Sequence, residues 1–419
     1  MSQPINLKRV VVTGMGALTP VGNTLVNSWT NLLNGVSGAA PITRFDATPF
    51  KSQFACEVKN FDPTDHMDRK EVRRTDRFSH YALAVVGEAL TNSGLDLAHI
   101  DTTRVGVIWA SAMGGIETTE EQLLKYGEEP TNPRFSPLYI PKMLLDASSG
   151  ILSMRYGLRG VNHNTVSACA SSNAALIDAF YHIRLGKADV IVSGGSEAAI
   201  TPSSLGGFSS AQALSTRNDD PATASRPFDV DRDGFVLGEG AAALILEEYE
   251  HAMNRGARIY AELVGGGSSG DAYHATAAHP EGDGALRSMI AALDDAGLTA
   301  AEVDYVNPHA TSTPVGDVSE MKAMQRLFGE QLAKVQISAT KSMTGHLLGA
   351  AGAIEAVVAV MALETGKIPP TINTQTVDPL VPTGVQLTLA HQVERQVNVA
   401  MSNSFGFGGH NSTVIFRKV

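Results

Sequence analysis

Cysteine is scarce in this chain, which excludes a disulfide-rich protein and a protein with a CxxC metal site. Only Cys56 and Cys169 occur among 419 residues, so no disulfide framework can form and no CxxC pair offers a structural metal site. A reducing cytoplasm is the simplest setting for two free thiols. The first residues also lack the apolar core of a signal peptide and the Arg and Ser bias of a transit peptide. We therefore expect a cytoplasmic protein.

Positive charge and long apolar segments are also in short supply. The 43 acidic and 32 basic residues give a formal net charge of −11, which argues against a nucleic-acid partner because phosphate binding needs clustered Lys and Arg in excess. The longest apolar run, 347–363, contains Glu355 and is too short to cross a bilayer. It predicts a buried helix and no membrane segment.

One dense basic segment, 69–77, stands out against this acidic background. Its three- and four-residue spacings would place Lys70, Arg73, Arg74 and Arg77 on or near one face of a helix. From the spacing alone, this face is either a solvated surface or a docking site.

The segment around Cys169 is the most informative feature of the sequence. Residues 161–168 (VNHNTVSA) predict a strand, and the Ala- and Leu-rich run from Cys169 to His182, closed by Gly186, predicts a helix. The thiol then lies at a strand-to-helix turn, where free amides and the helix dipole favour a thiolate. A buried cysteine that acts as a small apolar residue is the alternative.

Two histidine motifs favour the interpretation of Cys169 as a nucleophile. His309 follows a predicted strand at 304–306, and Lys341 and His346 follow another at 334–339. Open α/β sheets bind ligands at the C-terminal ends of their strands. We expect one nucleophile, two imidazoles and a lysine to meet there.

The predicted strands form two similar series, which indicates an α/β fold of two layered halves. Helical segments separate most neighbours in each series. The ten strands are predicted near 9–13, 104–110, 162–168, 189–194 and 241–246, and then near 258–264, 304–306, 334–339, 397–402 and 412–416.

Residues 10–19 (VVVTGMGALT) carry the first two glycines of a dinucleotide-binding fingerprint. Thr19 stands where the third glycine belongs, Pro20 follows, and no acidic residue ends a second strand about twenty positions on. A tight turn buried beneath the core is the preferred interpretation.

At the level of whole motifs, the chain resembles the β-ketoacyl-acyl carrier protein synthases of type II fatty acid synthesis. The resemblance runs nearly end to end and is carried by RVVVTGMGALTP (9–20), STRN (215–218), SRPFD (225–229), NPHATST (307–313), KSMTGHLLGAAG (341–352) and NSFGFGG (403–409). It implies a thiolase-like αβαβα architecture of two pseudo-repeated halves. Residues 1–257 would carry Cys169, and residues 258–419 would carry His309, Lys341 and His346.

The resemblance also implies a decarboxylative Claisen condensation. Cys169 would take an acyl group from acyl carrier protein, with its oxyanion bound by the amides of Cys169 and Phe407. His309 and His346 would stabilise the enolate formed from the malonyl thioester, and Lys341 would orient them and disfavour their protonation. No resident cofactor is implied, since the substrates are attached to the phosphopantetheine of the acyl carrier protein.

Further roles follow from the same resemblance, as does a homodimer with Cys169 near its two-fold axis. They are a gate at Phe208 and Phe407; pantetheine binding at Thr311, Thr313 and Thr276; an acyl pocket at Met113 and Tyr139; carrier docking at Lys70, Arg73 and Arg74; and a structural Na⁺ or K⁺ at Asn307, Glu320, Ser402 and Asn403.

Three positions depart from the family's usual pattern. Ala310 replaces the glycine of His-Gly-Thr, Gln212 stands where a basic residue is common, and Met113 occupies the end of the acyl pocket. None removes a catalytic group, but each could change the acyl chain or carrier used. A ketosynthase of a polyketide or aryl polyene pathway is the main alternative. A thiolase and a catalytically inactive chain-length partner subunit are weaker ones, because the chain lacks a suitably placed second cysteine and retains Cys169.

Overall fold

The core of the fold is a bent sheet whose strands include both predicted series. The computed structural model describes residues 6–419, and all ten predicted strands occur within them. The strands are Val10–Leu18 (β1), Ala40–Pro41 (β2), Phe54–Ala55 (β3), Val105–Ala110 (β4), Asn162–Thr165 (β5), Val190–Glu197 (β6), Gly240–Glu248 (β7), Ala261–Gly270 (β8), Tyr305–Asn307 (β9), Gln336–Ile337 (β10), Lys367–Ile368 (β11), Gln386–Leu387 (β12), Val393–Glu394 (β13), Val399–Gly406 (β14) and His410–Arg417 (β15).

Many helices have local signals at their ends. Thr24, Asp68 and Asp76 accept hydrogen bonds from first-turn amides, while Gly157 and Gly366 end their helices in the left-handed conformation. The helices are Leu25–Leu33 (α1), Arg69–Arg74 (α2), Arg77–Ser93 (α3), Ile116–Glu128 (α4), Tyr139–Met143 (α5), Ala147–Tyr156 (α6), Ser171–Arg184 (α7), Pro202–Ser210 (α8), Tyr249–Asn254 (α9), Asp283–Ala296 (α10), Pro314–Phe328 (α11), Lys341–Thr344 (α12) and Ala351–Thr365 (α13).

The two halves of the sheet have the same topology. The order is β12-β10-β9-β14-β15-β8-β1-β7-β6-β4-β5. The five main strands, in chain order, are β1, β4, β5, β6 and β7 in the first half and β8, β9, β10, β14 and β15 in the second. From the outer edge of the sheet to its centre, the main strands of both halves follow the order third, second, fourth, fifth, first. Each half is parallel around its second strand and antiparallel elsewhere. They join where β1 pairs antiparallel with β8 at Val10–Val12.

Helices form layers inside and outside the bent sheet. α7 and α13 pack on each other and on strands of both halves, so they form the central layer. α3 covers β1, β6 and β7 on one outer face, and α10 covers β8 and β15 on the other. This arrangement is the thiolase-like αβαβα architecture expected from the resemblance. The seam between the halves lies between α9 and β8, and the division into 1–257 and 258–419 stays a prediction.

The helix predicted in the apolar run 347–363 is buried. Together with a preceding 3₁₀ turn, the segment Leu348–Thr365 has the length and composition of a membrane span, but 83% of its residues are buried inside the protein. It is therefore the core helix of a packed layer, apolar on every face because both sheet halves contact it.

The predicted turn at Gly14 and Gly16 is wrong, because β1 runs straight through both residues. A Cβ at Gly14 would lie 2.4 Å from the Ala89 carbonyl oxygen, and one at Gly16 would lie 2.1 Å from that of Val85. The glycines therefore permit close packing of α3 on the sheet.

Candidate active site

Cys169 lies in a single 3₁₀ turn, Ala168–Ala170, between β5 and α7. The preceding Ala168 has a φ of +51°, a left-handed conformation that strains an L-residue. The Ser171 side chain fixes the turn, since it donates to the Ala168 carbonyl at 2.7 Å and accepts from the Ser167 amide at 2.8 Å. Cys169 therefore lies at a strand-to-helix turn, as predicted, although α7 begins two residues later than expected.

The surroundings of Cys169 do not favour the expected thiolate. Burial raises the pKa of the Cys169 thiol to about 11, and Glu197 adds to the rise. The backbone N–H groups of Phe407 and Cys169 and the Lys341 ammonium act in the opposite direction but do not outweigh burial. The two amides predicted to form the oxyanion hole therefore act on the sulfur, but burial favours the protonated thiol at neutral pH.

The two imidazoles lie next to this thiol: His309 is on the loop after β9, and His346 follows α12, the short helix after β10. The Cys169 Sγ and a ring nitrogen from each of His309 and His346 all lie within 4.8 Å of one another. The two rings are edge to face, with centroids 5.2 Å apart, and Phe235 packs edge to face on His346. Burial, reinforced by Lys341, lowers the pKa of both imidazoles well below 6.5. Both are therefore neutral at physiological pH.

Lys341 is fully buried and pairs with Glu355 of α13. Burial raises the pKa of Glu355 to about 7, against the lowering effect of Lys341. The sequence interpretation gave Lys341 a role but gave none to its partner. The available signal was a single acidic residue in the apolar run 347–363.

Cys169, His309 and His346 line one cavity of about 350 Å³. Phe208 and Phe407 line it with ring centroids 6.5 Å apart, and Phe208 also packs edge to face on Phe235. A Cβ at Gly406 would lie 2.8 Å from the Cys169 amide nitrogen, so a glycine lets the Phe407 loop approach the nucleophile. The three threonines predicted to bind pantetheine also line this cavity, as does Gln212: Thr276, Thr311 and Thr313.

The two predicted acyl-pocket residues have different surroundings. Met113 packs in an apolar cluster with Phe208 next to the cavity, and its amide is held by Glu197 at 3.0 Å. Tyr139 does not reach the cavity in this chain. It stacks on Phe135 with centroids 5.7 Å apart, at the start of α5. Neither Met113 nor Tyr139 is among the residues that line this cavity, and their assignment to the acyl pocket stays a prediction.

The four residues predicted to bind a monovalent cation, Asn307, Glu320, Ser402 and Asn403, are all buried. Glu320 accepts the amides of His309 and Ala310 at 2.9 and 2.8 Å and the Asn403 side chain at 3.1 Å. The Oδ1 of Asn403 accepts from Thr413. The Asn307 Oδ1 and the Ser402 Oγ are buried with no hydrogen-bond partner in the described part of the chain. A cation site at these four residues stays a prediction.

The basic segment forms α2 and ends sooner than its spacing predicted. Lys70, Arg73 and Arg74 are exposed on α2, and no ion pair holds them among residues 6–419. Arg77 begins α3 instead, where its guanidinium binds Glu117 at 2.9 Å. The three predicted docking residues share one exposed helix, and Arg77 does not belong to that set.

Comparison with known proteins bears on this arrangement. Residues 7–252 match the family described as Beta-ketoacyl synthase, N-terminal domain, and residues 260–375 match its C-terminal domain. A 3-oxoacyl-acyl-carrier-protein synthase 2 from Synechocystis is 48% identical over 414 residues, 98% of each chain. A solved β-ketoacyl synthase from Burkholderia phymatum has a TM-score of 0.91 and 35% identity, covering 98% of this chain and 100% of its own. A type II polyketide ketosynthase, solved in complex with its acyl-carrier protein, has a TM-score of 0.91 and 33% identity, covering 99% of this chain and 100% of that chain.

Proposed function

The chain belongs to the β-ketoacyl synthase family, and we propose that it condenses an acyl group held on Cys169 with malonyl-acyl carrier protein in fatty acid elongation. The product is β-ketoacyl-acyl carrier protein, and carbon dioxide is released. The observation that carries this assignment is the meeting of Cys169, His309 and His346 within 4.8 Å in one cavity. A thiol supplies the acyl acceptor, and two neutral imidazoles supply the hydrogen-bond donors.

Loading begins with attack of the Cys169 sulfur on the acyl thioester. Because the thiol is protonated at neutral pH, its proton must leave as the sulfur attacks, and a neutral imidazole within 4.8 Å is placed to take it. The amides of Cys169 and Phe407, which already contact the sulfur, then bind the oxyanion.

Condensation requires a second anion to be stabilised. Loss of carbon dioxide from the malonyl thioester leaves an enolate, which attacks the acyl carbon on Cys169. His309 and His346 are suited to donate to the enolate oxygen because burial and Lys341 keep them neutral with an N–H available. Glu355 holds the Lys341 ammonium, so the lysine orients the site without protonating the imidazoles.

The substrate would follow the cavity in two directions. Thr311 and Thr313, whose hydroxyls are 3.1 Å apart, and the more exposed Thr276 line the side where pantetheine would enter. Phe208 and Phe407 form a gate between that side and the apolar cluster around Met113. A monovalent cation at Asn307, Glu320, Ser402 and Asn403 would brace the loop that carries His309 and take no part in the reaction.

The exposed face of α2 is proposed to dock the acidic acyl carrier protein. Lys70, Arg73 and Arg74 offer three cations on a chain of net charge −11. Reversing Arg73 and Arg74 to Glu should raise the apparent KM for carrier-bound substrate and leave turnover of a small pantetheine thioester unchanged. Equal loss with both substrates would indicate a folding defect instead.

We also propose a homodimer in the cytoplasm. β5 is the last strand of the sheet, so one edge has no neighbour in this chain, and Val166, Tyr181 and Leu185 beside it are 57%, 38% and 47% exposed. Light scattering should give the mass of a dimer, and Val166→Asp should reduce it to that of a monomer. A monomer in the parent protein would contradict the proposal.

A polyketide or aryl polyene ketosynthase would use the same residues on a different chain, and the likeness to the polyketide ketosynthase keeps this second function open. Intact-protein mass spectrometry after incubation with a panel of acyl-carrier thioesters separates the two. We expect saturated fatty acyl groups to load on Cys169, no loading in Cys169→Ala, and normal loading in Cys56→Ala. Loading of polyketide chains alone would favour the alternative.

A further inference from the structure

The three groups assigned to catalysis are also the donor set of a soft-metal site. The Cys169 Sγ and the ring nitrogens of His309 and His346 lie within 4.8 Å of one another. Donor atoms around a tetrahedral Zn²⁺ are about 3.3–3.6 Å apart, given Zn–S and Zn–N distances of about 2.3 and 2.0–2.1 Å. A closure of at most about 1.2–1.5 Å would therefore bring all three onto one ion. Thiolate and imidazole donors suit Zn²⁺ and disfavour Mg²⁺ or Ca²⁺, which prefer oxygen.

The orientation of the rings suits this role. The Nδ1 atoms of His309 and His346 are buried with no partner in the described residues, which leaves Nε2 as the nitrogen that faces the cavity. A neutral imidazole offers the lone pair of one ring nitrogen to a metal. In resident zinc sites the second ring nitrogen is usually anchored to a carbonyl or carboxylate. Its lack of an anchor here favours reversible binding over a permanently held ion.

The surrounding charge also admits a cation. Lys341 would repel a metal, but Glu355 already pairs with it. The carboxyl of Glu320 interacts with Lys341 at this centre, and that of Glu197 acts on the Cys169 thiol. Three buried carboxyls therefore lie around one buried ammonium, and all three can ionise when a cation binds. The fourth coordination position opens onto the cavity of about 350 Å³, which has room for a water ligand.

We propose that Zn²⁺ binds across Cys169, His309 and His346 in the unacylated protein and blocks acyl loading. The thiol releases its proton to solvent as the sulfur–zinc bond forms, and no oxidant or reductant is needed. An acyl group on Cys169 excludes the metal, because a thioester sulfur carries no thiolate charge. The inference goes beyond the proposed function and rests on the donor geometry alone, so either can fail without the other.

Co²⁺ is the probe, titrated into the untagged full-length protein. Tetrahedral coordination with a thiolate should give intense visible bands and a sulfur-to-cobalt charge-transfer band that saturate at one equivalent. Cys169→Ser should lose the charge-transfer band, and His309→Ala and His346→Ala should each weaken metal binding. Cys56→Ala is the matched control and should keep the full spectrum, because Cys56 lies outside the cavity.

A surface cluster provides a second control. His163 lies 3.5 Å from Asp178 and its ring centroid is 6.1 Å from that of His182, so this cluster could bind metal on its own. His163→Ala should leave the cobalt spectrum unchanged. Retention of the charge-transfer band in Cys169→Ser, or full-strength binding in both histidine variants, would overturn the proposal.

The effect on acyl loading follows from mass action. Zn²⁺ at ten times its dissociation constant, measured by competition with Co²⁺, should lower the loading rate about elevenfold. A chelator should restore the rate, and Mg²⁺ at the same concentration should have no effect. Protein already acylated on Cys169 should show no cobalt bands. Loading that is insensitive to saturating Zn²⁺, or cobalt bands in the acylated protein, would contradict a shared site.

Discussion

Each half of the molecule has a buried carboxylate that accepts the backbone amides of a loop just after a strand, but the two loops present different side chains. In the first half, Glu197 accepts the amides of Ala112 and Met113, two and three residues after β4. In the second half, Glu320 accepts the amides of His309 and Ala310, two and three residues after β9. Burial raises the pKa of both carboxyls to about 7, against the effect of these donors.

The difference lies in the side chains that each fixed loop presents. The first loop presents Met113 to an apolar cluster, and the second presents His309 to the thiol. The segments after the third strand of each half also carry different side chains. Cys169 follows β5 in the first half, and Lys341 follows β10 in the second. Glu197 ends β6 and Glu320 lies in α11, so different elements supply the carboxylate that fixes each loop. Under the proposed function, the first loop would face the acyl chain and the second would help to stabilise the enolate.

The sharpest test of this division concerns the histidines. His309→Ala and His346→Ala should each slow decarboxylation by a factor of about 10² or more, because each removes a donor to the enolate. Acyl transfer to Cys169 should suffer less, since backbone amides would bind its oxyanion and each single variant keeps one imidazole within 4.8 Å of the sulfur to take the thiol proton. Single-turnover assays with acyl-carrier alone and with malonyl-carrier measure the steps separately. Equal damage to both steps would show that the halves do not divide the work.

A pH series compares the two cysteines. Because burial raises the pKa of Cys169 to about 11 and that of Cys56 to about 12, neither is a thiolate at neutral pH, but only Cys169 opens onto the cavity. Alkylation of Cys169 by iodoacetamide should rise about tenfold per pH unit between pH 7 and 10, as the thiolate fraction grows. A rate that levels off near pH 8 would indicate a thiolate stabilised beyond what the unloaded structure contains. Cys56 should stay unlabelled in folded protein.

Much of this arrangement could be predicted from the sequence. Strand periodicity located all ten main strands, and because Cys169, His309 and His346 each follow a strand end, their meeting could be inferred. What the sequence could not provide depends on packing. Burial and the distant Phe407 loop both act on the pKa of the Cys169 thiol, and Tyr139 stacks on Phe135 at the start of α5. Neither contact leaves a local pattern.

Exchanging the two carboxylates for amides tests whether the loops are equivalent. Every Glu197 and Glu320 oxygen accepts at least one hydrogen bond, so a Gln NH₂ would face donors and cost about 1–3 kcal/mol of unfolding free energy in either half. Denaturant unfolding should show this loss for both Glu197→Gln and Glu320→Gln.

The functional consequences should differ. Glu320→Gln should reduce the condensation step, because it releases the His309 loop. Glu197→Gln should change the acyl-chain profile, because it releases the Met113 loop. Identical functional defects in the two variants would remove the distinction between the loops, even if both lost the expected stability.

The smallest expected effect concerns Met113 itself. Its side chain is partly buried in the cluster beside Phe208, and methionine is long and flexible, so it can limit a pocket without sealing it. Met113→Ala should favour longer chains by about fourfold per additional methylene, the equivalent of about 0.8 kcal/mol each. Met113→Phe should reject chains that the parent accepts, because overpacking costs about 1–3 kcal/mol. Loading efficiency against chain length measures both. An unchanged profile in both variants would leave Phe208 as the next residue to test, and would mean that Glu197 fixes a loop that does not face the acyl chain.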